Sequence, residues 1–278
     1  MRFSHSVFAI PFAGIMLLVV MRNYAVSWMQ LGLLLLCVVS ARFAAMAFNR
    51  IVDARIDARN ERTKNREIPA GRVTPREAWL LVLTASLVFT AASFGLGAHC
   101  GLLSVPVLGV LLGYSYVKRF SSLCHVVLGV ALACAPGGVW YALTATWSWQ
   151  PIPLMVSVML WVAGFDILYA CQDAEFDRTH GLRSVPSMLG IPVARGIAIV
   201  LHILCVCFLA VFGHSFGLGG WFWCGAGLFA ALIASQHVVV HRHGLESIDQ
   251  IFFVRNGLAS VVLLMFVLAD QVTFYSER

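Results

Sequence analysis

The chain has 278 residues, of which 60% are hydrophobic and only 12% charged, with a mean hydropathy of +0.86. That balance lies far outside the range of a soluble globular domain and describes an all-α, polytopic membrane protein. The formal net charge of +6 comes without a basic stripe carrying interleaved base-stacking aromatics, which excludes nucleic acid as a partner.

Nine apolar stretches are long enough to cross roughly 30 Å of hydrocarbon at about 1.5 Å per residue. They lie near residues 3–21, 27–48, 76–95, 98–117, 123–143, 152–170, 193–213, 217–240 and 250–270. The first is too long for a signal peptide, and its flank Met21-Arg22-Asn23 carries no small-residue cleavage pattern, so it is read as the first span. After the second comes a polar island, Asn49-Arg50-Ile51-Val52-Asp53-Ala54-Arg55-Ile56-Asp57. Asn49, Asp53 and Asp57 recur every four residues and stack on one helix face. A basic loop with Gly and Pro follows, Arg62 to Gly71, and residues 49–78 together hold thirteen of the thirty-two Asp, Glu, Lys and Arg residues. The sixth span ends in a second ladder, Asp166, Tyr169, Asp173 and Asp177, again followed by such a loop, Arg178 to Pro186.

The recurrence suggests a weak internal repeat, spans one to four against five to eight, with the ninth completing the bundle. The fold predicted is thus two four-helix halves plus one helix, a single domain over 1–278 with motif-bearing segments at 49–76 and 166–192. Sixteen of the nineteen Lys and Arg residues fall on the side that holds Arg2, both basic loops, Lys118 and Arg119. Arg22 and Arg278 lie on the other side and Arg42 within the second span. An asymmetry this steep places the N-terminus and every charged loop in the cytoplasm and the C-terminus outside, in a cell (inner) membrane. The eight cysteines lack paired spacing and read as small buried hydrophobes. His5, His125 and His202 read as packing histidines, the His237, His241 and His243 group as a solvated helix end, and Trp147, Trp149, Trp221 and Trp223 as interfacial anchors.

Ionisable groups at the edge of a membrane bundle cost free energy unless paired, hydrated or metal-bound, so two facing acidic ladders mark a site. Hard oxygen donors at this density suit Mg²⁺ carrying a diphosphate. Arg42 lies two helical turns deeper than Asn49 on the same face, where a snorkelling role is costly. Asp166 and Tyr169 lie inward of Asp173 on the second ladder.

These residues carry a resemblance. The chain resembles the UbiA superfamily of intramembrane prenyltransferases in three ordered motifs. The first is carried by Asn49, Asp53, Asp57, Arg62, Thr63, Arg66 and Gly71, the second by Asp166, Tyr169, Gln172, Asp173 and Asp177, the third by Tyr114, Lys118 and Arg119. One departure is Arg50, where the family usually has Asp; on a helix it points about 100° away from the ladder, free for a diphosphate contact or a salt bridge. Segments with that Arg are similar to a bacterial branch of 4-hydroxybenzoate polyprenyltransferase-like proteins that includes menaquinone-pathway members. The resemblance implies transfer of a polyprenyl group from its diphosphate to an aromatic acid. Asn49, Asp53, Asp57, Asp173 and Asp177 would hold Mg²⁺, Lys118, Arg119, Arg66 and Arg72 would contact the diphosphate, and Arg42 would bind the acceptor. Asp166, Tyr169, Asp173 and Asp57 are the expected catalytic set. The acceptor expected first is 4-hydroxybenzoate, then a dihydroxynaphthoate. A small-solute transporter is the reading from another class.

Overall fold

The computed structural model describes residues 9–245 and 248–276, without the side chains of 243 and 248–253; His5, Arg2 and Arg278 lie outside it. The regular elements among the described residues are all helices. In chain order they form α1 (Ala9–Val20), α2 (Trp28–Asp57), α3 (Pro75–Leu96), α4 (Ala98–Val117), α5 (Cys124–Thr144), α6 (Ile152–Ala170), α7 (Ala174–Thr179), α8 (Val185–Leu189), α9 (Ile191–Ser215), α10 (Gly220–His243) and α11 (Ile248–Ser276). A 3₁₀ turn, Cys171–Asp173, joins α6 to α7.

Eight of these helices are long and apolar enough to cross a membrane, one fewer than the nine expected. The difference is α1, described over 12 residues, or about 18 Å at the α-helical rise. Residues 3–8 of the expected first span lie outside the description. The division into halves also differs. Among the described residues α1 packs chiefly against α5 and α11, with few contacts to α2, α3 and α4, so the first four spans do not form a bundle of their own. Its buried residues Phe12, Ile15 and Met16 explain the choice: Phe12 meets Trp161 of α6 at 5.1 Å and Phe229 of α10 at 6.2 Å between ring centroids.

Two helices outrun their predicted ends, and both extensions carry polar residues. α2 runs 30 residues, about 45 Å against roughly 30 Å of hydrocarbon, so its last turns, from Asn49 to Asp57, stand at and beyond the membrane edge. It starts with a capping box, Ser27 with Gln30, which satisfies free N–H groups that lipid cannot. α6, the 3₁₀ turn and α7 make a second long rod, Ile152–Thr179. The chain returns to the membrane after each polar loop through another capping box, Thr74 with Glu77 before α3 and Ser184 with Ser187 before α8.

Between helices in lipid there is no hydrophobic driving force, and close packing of small residues takes its place. Gly129 of α5 lies so close to α6 that a Cβ there would collide with the Met159 backbone carbonyl, and a Cβ on Gly164 of α6 would meet His202 of α9. At the end remote from the ladders Arg22 is buried and paired with Asp270 of α11 at 3.0 Å. It also donates to Gln271 Oε1 (2.7 Å) and the Phe216 carbonyl (3.1 Å). Asp270 in turn accepts the N–H groups of Gly219 and Phe222 at the start of α10. One buried ion pair thereby ties α1, α10 and α11 together at the end remote from the ladders.

Candidate active site

A cavity of about 570 Å³ opens at the ladder end of the bundle, between α2, α4, α5 and α6, with Asn256 of α11 on its far wall. Its size is that of a small-molecule site, and both ladders reach it. Asn49 and Asp53 line it from α2, and Asp166, Tyr169, Asp173 and Asp177 from α6 and its continuation. Lys118, Arg66, Arg72 and, deeper, Arg42 also line it. Asp57 and Arg119 stand just behind this lining: Asp57 is 3% exposed and both are engaged elsewhere.

Three of the ladder carboxylates, Asp53, Asp57 and Asp173, are each matched by an arginine. Both Asp57 oxygens accept from Arg66 Nη1, at 2.7 and 2.8 Å. Asp53 accepts from Asn49 Nδ2 at 3.0 Å and from Arg119 Nη2 at 3.1 Å. The Arg119 guanidinium also bonds the carbonyls of Ser115 (2.8 Å) and Val52 (2.9 Å), which fastens the end of α4 to α2. Asp173 is held by Arg62, through two nitrogens, and by Asn60 Nδ2 at 2.9 Å. Arg62 further donates to the Tyr169 hydroxyl at 2.5 Å and stacks over its ring at 4.7 Å. The loop after α2 therefore reaches across the cavity and closes on the second ladder. Like charges brought together at a membrane edge are tolerable only with such compensation.

Arg50, angled away from the ladder face, lines the same cavity and makes one of the two contacts expected of it, a salt bridge with Nε 3.5 Å from Glu67. Burial works to raise the Glu67 carboxyl, but its own backbone N–H and Arg50 outweigh it and hold the group below its usual range. Lys118 makes no hydrogen bond or ion pair through its side chain among the described residues, and so offers the cavity an uncommitted ammonium.

The donor set fits Mg²⁺ in kind, being hard oxygens of carboxylate and amide. No group of three His, Cys, Asp or Glu side chains converges into a cage among the described residues. That also fits, since Mg²⁺ is usually held by one or two carboxylates with substrate phosphate oxygens completing the shell.

Three participants escape a reading of spacing alone, and a fourth, Tyr114, belongs to the third motif. Asn60 sits just past the ladder and binds across the cavity, which only the loop's return reveals. His125, read as a packing histidine, lies 2.6 Å from Asp166. Asn256 is held at the far wall by Trp161 Nε1 (3.0 Å) and Gln236 Nε2 (2.9 Å) on its Oδ1. Tyr114 lines the cavity beside Arg42. The other histidines divide differently from expectation: His237 leaves the solvated end to contact His202 at 2.7 Å, while His241 meets Arg195 at 3.4 Å. Trp147, Trp149, Trp221 and Trp223 are all exposed, as interfacial anchors are.

Comparison with known proteins agrees with this geometry. A protein named 4-hydroxybenzoate octaprenyltransferase, from Pseudomonas putida, is 30% identical over 240 residues, which cover 84% of this chain and 78% of that one. A UbiA homologue of Aeropyrum pernix superimposes with a TM-score of 0.89 at 30% identity, covering 97% of this chain and 99% of that one. A UbiA homologue of Archaeoglobus fulgidus, solved with DMAPP and Mg²⁺, has a TM-score of 0.66 at 17% identity, with 96% and 95% covered, and shares the fold. The UbiA prenyltransferase family profile matches residues 8–264, which sets the transporter reading aside: this multi-pass membrane protein belongs to the UbiA prenyltransferase family and is an enzyme of prenyl transfer.

Proposed function

We propose that the chain transfers a polyprenyl group from polyprenyl diphosphate to an aromatic acid, 4-hydroxybenzoate ahead of a dihydroxynaphthoate, in quinone biosynthesis, with Mg²⁺ as cofactor. The observation that carries the reading is the single cavity that joins carboxylates of both ladders at its mouth to Arg42 in its depth. The diphosphate would lie at the mouth, where Asn49, Asp53, Asp173 and Asp177, with Asp57 behind them, hold Mg²⁺. Lys118, Arg66 and Arg72 would add cationic contacts, and Arg119 would act from behind Asp53. Bound there, Mg²⁺ neutralises charge that builds on the leaving diphosphate.

Tyr169 faces the cavity below this point, its ring already presented to a guanidinium. A ring that binds one cation by its π face can stabilise an allylic cation in the same way. Asp166 is one turn deeper and takes the acceptor's hydroxyl, while Arg42 takes the acceptor's carboxylate. A second, apolar cavity of about 160 Å³ continues from the first past Arg42, Leu111, Ala131 and Leu132. It gives the reacting groups a dry surround, which keeps water from an allylic cation. The acceptor order rests on the names of the relatives; the carboxylate requirement rests on Arg42.

The direct test is an assay of the purified protein in nanodiscs with Mg²⁺, a labelled polyprenyl diphosphate and a panel of aromatic acids. Prenylated 4-hydroxybenzoate is the expected product, abolished by EDTA and restored by Mg²⁺. Transfer to acceptors that lack a carboxylate, with none to 4-hydroxybenzoate or the naphthoate, would reject the reading.

The orientation proposed places the ladder end in the cytoplasm, from the bias of Lys and Arg to that side. A reporter inserted near Lys64 is expected to be active only inside the cell, and one fused after Arg278 only outside. The reverse pattern would put the site on the wrong face for a cytoplasmic diphosphate.

A further inference from the structure

Beside Asp166 lies a buried histidine. His125 is the second residue of α5 and 2% exposed. Its Nδ1 is 2.6 Å from Asp166 Oδ2, and its Nε2 accepts the backbone N–H of Val185 at 3.2 Å. A peptide N–H can only donate, so Nε2 is the bare nitrogen, and the hydrogen of the neutral ring sits on Nδ1, where it is donated to the carboxylate. A charged imidazolium would set Nε2–H against the Val185 N–H, donor against donor, which a buried site does not sustain. The two contacts therefore select the tautomer of His125 and make Asp166 Oδ2 an acceptor. Asp166 is 28% exposed in the cavity, and its Oδ1 has no hydrogen-bond partner among the described residues.

The Val185 N–H is itself fixed. Arg183, two residues earlier, donates its backbone N–H to the Lys118 carbonyl at 2.7 Å and its Nη1 to the Phe120 carbonyl at 2.9 Å. The Cys124 thiol contacts the Arg183 carbonyl at 3.5 Å. The loop after the second ladder is thereby clamped to the turn before α5, and the histidine at the start of α5 reads that clamp from one side and Asp166 from the other.

We propose that His125 is a positioning residue for prenyl transfer, holding Asp166 as an oriented, ionised base toward the acceptor and tying that base to the loop at Val185. The inference rests on the reading that the acceptor carries a phenolic hydroxyl. In the step it serves, the C–O bond between the prenyl carbon and the diphosphate breaks with its electron pair on the leaving oxygen. A ring carbon of the acceptor bonds to the prenyl carbon as the hydroxyl proton passes to Asp166 Oδ1, giving a neutral dienone. Asp166 Oδ1 then returns its proton to the dienone oxygen as the proton on the substituted ring carbon passes to the departing diphosphate, so the carboxylate is regenerated and aromaticity returns. His125 stays neutral throughout and undergoes no net change.

The test has two arms on the full chain in nanodiscs. In the first, ¹⁵N spectra of histidine-labelled protein are recorded without substrate, the His125 signals among the nine histidines being assigned by their loss in His125→Gln. A ring protonated on Nδ1 and bare on Nε2 is expected; the other tautomer or a charged ring overturns the proposal. In the second, His125→Leu should lower kcat by about 10- to 100-fold, the range that outer partners of a reactive group carry, with acceptor and donor KM within about twofold. His125→Gln should stay within about threefold of wild type, because one amide end donates to Asp166 and the other accepts from Val185. A Leu variant near wild-type rate, or a Gln variant as damaged as Leu, overturns it. Wild-type protein inactive on every aromatic acid, yet with the Nδ1–H ring, would reject the acceptor reading and still support the pair.

Discussion

Replacing Asp53, Asp173 or Asp177 by Ala is expected to lower turnover by at least about a hundredfold each, the scale on which a single stabilising contact to transition-state charge counts. Each lines the cavity mouth, and each would bring oxygen to Mg²⁺ where the diphosphate departs. The structure separates Asp57 from this group. It lies behind the lining with both oxygens on Arg66, so Asp57→Ala removes a metal ligand only if loading draws the carboxylate forward, and otherwise frees a guanidinium. Two further measurements tell these apart. Mg²⁺ with a non-hydrolysable diphosphate analogue should raise the unfolding temperature of wild type and of Arg66→Ala. It should leave that of Asp53→Ala, Asp173→Ala and Asp177→Ala unchanged. An Asp57→Ala variant that still responds to Mg²⁺ makes Asp57 a positioning residue for Arg66. Near wild-type rates in any two of the four aspartate variants would remove the two-ladder site altogether.

The arginines on these carboxylates have a second consequence. Arg62 on Asp173 and Arg66 on Asp57 use the same lone pairs that a metal would use. A guanidinium that satisfies a carboxylate can transfer its planar fork to a phosphate with little loss. The loop from Asn60 to Arg72 can then close on the diphosphate through groups that bridge the two ladders beforehand.

The ladders were legible because a four-residue repeat of carboxylates in an oily chain has few physical explanations. Two other features were hidden for identifiable reasons. The place of α1 in the bundle is not legible because sequence order does not report its partners: among the described residues it packs chiefly against α5 and α11, with Phe12 against Trp161 of α6 and Phe229 of α10. The role of His125 was invisible because an apolar flank says that a histidine is buried and nothing about what it is buried against. Asp166 is forty-one residues away, and no periodicity links them. Arg50 makes one of the two contacts expected of it, a salt bridge, and only the fold supplies its partner, Glu67 on the following loop, whose pull brings the side chain to the cavity.

Arg42→Ala is expected to raise the acceptor's apparent KM by about a hundredfold or more while changing the donor's by less than about threefold, since a charge-assisted hydrogen bond in a dry pocket is lost on one substrate only. Arg42 belongs to both cavities, standing where the polar site gives way to the apolar one. A carboxylate there pairs with a guanidinium while its ring points back toward Asp166 and Tyr169. Arg42→Lys should recover part of the loss but not all of it, because an ammonium cannot reproduce a bidentate fork. An acceptor lacking the carboxylate should be indifferent to the change, its poor KM being the same in wild type and Arg42→Ala. That last comparison decides the matter, because a general disturbance of the pocket would weaken both acceptors alike. If Arg42→Ala instead impairs the donor, or leaves the acid's KM unchanged, the carboxylate has no partner at this depth and the physical case for an aromatic acid falls with it.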